Sequence, residues 1–99
     1  MLFRHGDVLI QMVGEVPTNV QKLNTNVLAH GEVTGHSHRL ESMEGVSLWN
    51  AGEVLFMQVA EKATRVIHEE HAPIDLPVGT YRVWRQREYT PTRIVRVSD

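Results

Sequence analysis

Two pairs of histidines hold most of the chemistry that this sequence offers: His36-Ser37-His38 and His68-Glu69-Glu70-His71, four of the six histidines in 99 residues. In a β-strand, residues i and i+2 point to the same face with Cα atoms about 6.5–7 Å apart. His36 and His38 would then aim both imidazoles at one point while Ser37 turns away, and Gly35 lets the chain turn just upstream. The second pair, at i and i+3, would face opposite sides of a regular strand but converges where a strand ends, and Pro73 marks such an end. Glu69 and Glu70 are the candidate catalytic residues. Each offers a carboxylate ligand, a partner that fixes an imidazole tautomer, or a general base. The spacing is not the helical His-Glu-x-x-His of metalloproteases.

Imidazole nitrogens bind zinc at about 2.0–2.1 Å. The expected centre therefore holds a divalent metal ion on His36, His38 and His71, with His68 as the fourth candidate. His5 and His30 stand alone in the sequence and are not expected as ligands. Cysteine is absent, which removes disulfides, thiolate catalysis and cysteine-based zinc sites. Nitrogen and oxygen donors suit zinc first, with iron, nickel and manganese as alternatives. The requirement is spatial. If the fold keeps the two pairs more than about 10 Å apart, they cannot share an ion at those bond lengths and are two ordinary surface pairs.

The elements that must position them read as strands. Asp7–Val13 is β-branched and stopped by Gly14 and Pro17, whereas Thr18–Asn26 is polar and reads as a loop. Asn26–His30 is a short strand, and Gly31–Leu40 a glycine-punctuated turn feeding another. Val46–Trp49, Val54–Ala60 and Thr64–His68 are further strands, the first two joined by a hairpin-like turn at Asn50–Glu53. Ala72–Gly79 is a two-proline connection, Thr80–Tyr89 a long strand and Ile94–Val97 a last one. No window shows a convincing helical stripe. Seven or eight short strands at this spacing predict an all-β single domain over residues 1–99, a small barrel or sandwich.

The charge is uneven. Net charge is −2, but residues 80–97 hold Arg82, Arg85, Arg87, Arg93 and Arg96 against Glu88 alone. Arginines interleaved with Tyr81, Trp84 and Tyr89 are what a single-stranded nucleic-acid groove uses, yet the negative total argues against a dedicated nucleic-acid binder. The plainer reading is a charged edge strand that blocks unwanted pairing. A third is that Arg82 and Arg85 clamp the carboxylate or phosphate of a small-molecule substrate at a barrel mouth. No apolar run approaches the roughly 18 residues that span a bilayer, and Met1–Asp7 is not a signal peptide. A cytoplasmic protein without membrane contact is the expectation.

The segment around Gly31, His36, His38 and Glu41 resembles the first metal motif of the cupins, and Pro77-Val78-Gly79 matches their Pro-x-Gly turn. The resemblance covers about half the chain and implies a small jelly-roll barrel with a metal held by histidines. The glycine-to-histidine gap is one residue short, however, and Glu41 follows His38 too soon. Arg82 also stands where the last cupin ligand belongs, so His71 or His68 would have to replace it. The sequence is also similar to small uncharacterised bacterial proteins with a Gly-Glu-Val-Thr-Gly-His-x-His segment and a Glu-Glu-His-Ala-Pro-Ile segment. That likeness implies that the two segments act as one unit.

The leading expectation is a metal-binding β-protein with an open coordination position and an unspecified reaction. Against it stands a non-enzymatic assembly subunit, for instance of a phage or bacterial complex, self-associating as a homo-oligomer through its edge strand. A nucleic-acid module is the third class.

Overall fold

A computed structural model describes residues 1–31 and 33–86. The expected Ile94–Val97 strand, the last residues of the long strand, and Arg87, Arg93 and Arg96 lie outside them. Ten strands and no helix form in the described residues: β1 (Leu2–His5), β2 (Val8–Val13), β3 (Gln21–Leu23), β4 (Val27–His30), β5 (Ser37–Leu40), β6 (Val46–Ala51), β7 (Val54–Val59), β8 (Thr64–Ile67), β9 (Ile74–Leu76) and β10 (Gly79–Arg85). No helix among them is long and apolar enough to cross a membrane.

The fold is all-β. The strands make two antiparallel sheets rather than one closed barrel, in the orders β1-β2-β10-β7-β6-β3 and β4-β5-β8-β9. Alternation explains why the sheets face each other. Val8, Ile10, Leu48, Met57, Val59, Tyr81 and Val83 of the larger sheet, and Leu28, Leu40, Val66 and Leu76 of the smaller, are buried in one shared cluster. Removing such side chains from water is worth about 25 cal/mol per Å² of apolar surface. The Tyr81 hydroxyl, sunk in this core, donates to the Pro77 carbonyl at 2.6 Å and pins the turn that opens β10.

Three short strands lie where the sequence suggests none. β1 precedes a two-residue Gly6-Asp7 turn, with His5 paired to Val8. β3 falls inside the polar stretch expected as a loop, paired to β6. β9 lies in the two-proline connection, paired to β8. All three are sheet edges or next to a hairpin turn, where one partner strand suffices and the apolar pattern can be brief.

The parity of the pairing decides which side chains reach the histidines. Val8 opposes both His5 and Arg85, so these three share the inner face of the larger sheet with Ile10 and Val83. Arg82 alternates onto the outer face with Trp84.

Candidate metal centre

The two histidine segments meet. Ring centroids lie 4.4 Å apart for His38 and His68, 5.5 Å for His38 and His71, and 5.7 Å for His36 and His68. His38 enters from β5, and His68 and His71 from the loop between β8 and β9. That loop comes alongside because β8 pairs with β5, Arg39 opposite Ile67.

The segments do not combine as strand alternation predicts. Two three-residue sets form around His68: His38, His68 and His71, and separately His36, His68 and Glu69, with ligand atoms in each set within 4.8 Å of one another. His36 and His38 thus join different sets. β5 begins only at Ser37. His36 belongs to the preceding turn, closed by the Gly31 amide on the His36 carbonyl at 2.8 Å and the His36 amide on the Val33 carbonyl at 3.0 Å, so the i, i+2 rule does not reach it.

His5, read from the sequence as isolated, is part of the centre. Its side chain is buried, its Nε2 lies 3.0 Å from the Ala72 carbonyl, and its Nδ1 lies 2.9 Å from His38 Nδ1. A carbonyl only accepts, so His5 Nε2 carries the proton. In neutral His5 the Nδ1 is then bare and accepts from His38 Nδ1–H, which leaves His38 Nε2 bare. Histidines that bind metals are held in this way by a partner on the other ring nitrogen. The available signal was Gly6-Asp7, a pair typical of two-residue hairpin turns, but Leu2-Phe3-Arg4-His5 alternates too little to announce a strand before it.

Gly6 has φ of +63°, and a Cβ there would stand 2.9 Å from both His38 Cε1 and His71 Nε2. Glycine is therefore needed twice over, for the turn and for the space. Gly31 makes a similar cradle, where a Cβ would come 3.1 Å from His68 Nε2.

Burial pushes the His38 imidazole down to about 4 from 6.5, helped by the neighbouring His68 and His5 and opposed by Asp7. His5 is also lowered, first by burial, against the Ala72 carbonyl that favours its proton. Both are neutral at pH 7 and so in the form that binds metals.

The carboxylates have different tasks. Glu69 Oε1 accepts the Ser37 amide at 3.1 Å and Oε2 pairs with Arg39 at 2.9 Å. Its own backbone amide first, then Ser37 and Arg39, hold its carboxyl below the usual range, which suits a structural clamp better than a base. Glu70 is more exposed, with Oε2 3.6 Å from His36 Nδ1. That His36 nitrogen is buried and has no hydrogen-bond partner among the described residues. The Glu70 amide donates to His68 Nδ1 at 2.9 Å.

Of the two arginines expected to hold substrate, only Arg85 approaches the centre. Its Nε lies 3.0 Å from Asp7 Oδ2, and its Nη2 donates to the His30 carbonyl. It also borders a groove of ≈ 260 Å³ lined by Val8, Leu28, Leu55 and Val83, among others. Arg82 instead lies over the Trp84 ring at 4.4 Å and donates to Gln11 at 3.4 Å, on the opposite face of the sheet. His30 is exposed and supplies the centre's surroundings only with its carbonyl.

No curated protein and no solved structure matches the chain. A family described as a domain of unknown function (DUF8820) matches residues 4–86, a span that runs from β1 past β10 and takes in every residue of the centre. The chain belongs to that family.

Proposed function

We propose that the protein binds a divalent metal ion between its two sheets, on His38, His68 and His71. The observation that carries this is the convergence of three imidazoles from two separate segments, with ligand atoms within 4.8 Å of one another. Three protein ligands with one position left open is the pattern of catalytic zinc sites, and zinc is the first candidate, with iron, nickel or manganese also compatible with nitrogen and oxygen donors.

The fit has further support. The cradle at Gly6 keeps the space around His38 and His71 clear of any Cβ. The bare His38 Nε2 is fixed by His5, and His36, whose Nδ1 is without a hydrogen-bond partner among the described residues, belongs to the neighbouring set. One rearrangement is demanded: His68 Nδ1 accepts the Glu70 amide, so its Nε2 carries the proton, and the ring must exchange that arrangement for a bare nitrogen turned to the ion. An ion so held supplies Lewis-acid chemistry at its open position.

Elemental analysis and zinc titration test the reading. One ion per chain is expected, abolished in the double variant His38→Ala, His68→Ala. A wild-type protein that binds no divalent metal at neutral pH ends it.

A further inference from the structure

We propose that Asp7 is the anionic ligand of this centre, presented by the Gly6-Asp7 turn and oriented by Arg85. The inference rests on the metal reading above and fills that site's fourth position with a residue from the opposite sheet, so that an incoming molecule would have to displace Asp7 or raise the ion to five-coordination.

The hydrogen bonds around His38 lead there. With the Ala72 carbonyl holding the His5 proton and His5 accepting from His38 Nδ1–H, His38 Nε2 presents a lone pair. The atom it faces is Asp7 Oδ1, at 3.5 Å. A bare imidazole nitrogen and a carboxylate oxygen are both acceptors, so no hydrogen bond joins them in this tautomer. A cation between them turns that mismatch into attraction. Two donors bound to one tetrahedral ion at about 2.0–2.1 Å stand roughly 3.3–3.4 Å apart, so the observed separation is close to the bite of a shared ion.

Charge points the same way. Three neutral imidazoles leave both charges of a divalent ion uncompensated. Glu69 is engaged on both oxygens by Ser37 and Arg39, while Asp7 has one oxygen on Arg85 and the other turned to His38. Ligating carboxylates are themselves commonly hydrogen-bonded, which fixes the oxygen that meets the metal. Asp7 belongs to neither histidine set as it stands, and its side chain, about half exposed (49%) and on a turn, would have to move over His68 and His71 to complete the site.

Titration calorimetry with zinc chloride alone, together with visible spectra of the cobalt(II)-loaded protein, tests this on the full chain. Wild type should bind one ion. Asp7→Asn should bind at least about tenfold more weakly and shift the cobalt bands, Asp7→Glu should recover part of the affinity, and Arg85→Gln should lose less than Asp7→Asn. If wild type binds one ion and Asp7→Asn binds it with affinity and bands unchanged, Asp7 is only the partner of Arg85 and the inference is overturned. If wild type binds none, the metal reading fails and this falls with it. Circular dichroism checks that the variants fold. Should Asp7→Asn not fold, Asp7→Glu decides, changed cobalt bands supporting the assignment and unchanged bands overturning it.

Discussion

His5 spends both of its ring nitrogens on neighbours, one on the Ala72 carbonyl and one on His38, and neither is left for an ion. Its role is to choose the tautomer of His38. Replacing it by Phe keeps a ring in the space and removes both bonds, and zinc affinity should fall by about 10–100-fold, the usual cost of losing such a partner, as calorimetry would show. Gly6 is more sensitive. Gly6→Ala brings a methyl to 2.9 Å from two imidazoles at a positive φ, so the turn or the rings must move, and stoichiometric zinc binding should be lost even where the far-ultraviolet spectrum is retained. The depressed His38 gives a pH signature to the metal-free protein. Its folded value of about 4 lies below the 6.5 of the unfolded chain. Between those values the unfolded state takes up a proton that the folded state does not, so stability is intact above pH 6.5 and declines as pH falls toward 4. Urea melts across that window should show the decline, and His38→Phe should flatten it.

At the level of elements, the loop between β8 and β9 is the adaptable part. It holds His68 and His71, is anchored by His5 on Ala72 and by Glu69 on Ser37 and Arg39, and is otherwise exposed. Zinc should slow amide exchange over residues 68–73, while the Glu70 amide resonance should move as His68 releases it; unchanged spectra in that loop would remove His68 from the ligand set. Much of this arrangement is legible in the sequence. The apolar runs of β2 and β7 name themselves, and the two histidine pairs mark the segments that meet. What is not legible depends on long-range pairing. β1 shows no pattern of its own, yet it delivers His5 and the Asp7 turn only because β2 folds back on it. His36 looked equivalent to His38 by spacing, but hydrogen bonds within the Gly31–His36 turn take it out of the strand. Alternation alone sets Arg82 and Arg85 on opposite faces of their strand, but which of those faces turns inward is readable only from the pairing of Arg85 with Val8.

Across the whole molecule, the centre lies at a seam. His5, Asp7 and Arg85 belong to the larger sheet, and His38, His68 and His71 come from the smaller sheet and its loop. An ion held by the triad and Asp7 would add a tie between two layers already joined by apolar packing and by the contacts of His5 with Ala72 and His38 and of Arg85 with His30. At free zinc about 100 times Kd, binding to the folded state alone adds ~2.7 kcal/mol, which for a domain of this size corresponds to roughly 10–20 °C in Tm. Calorimetric scans with zinc and with chelator should differ by that order, and an unchanged Tm would mean that the folded state holds no ion in preference to the unfolded chain. The same seam dictates timing. The proposed ligands Asp7, His38 and the His68–His71 pair lie on segments far apart in sequence, and the His5 to Ala72 bond beside them joins residues 67 apart, so the full ligand set exists only once both sheets have formed. Diluted from denaturant into zinc-containing buffer, the chain should capture its ion no faster than its most distant strands find one another, which makes uptake a clock for the completion of the topology.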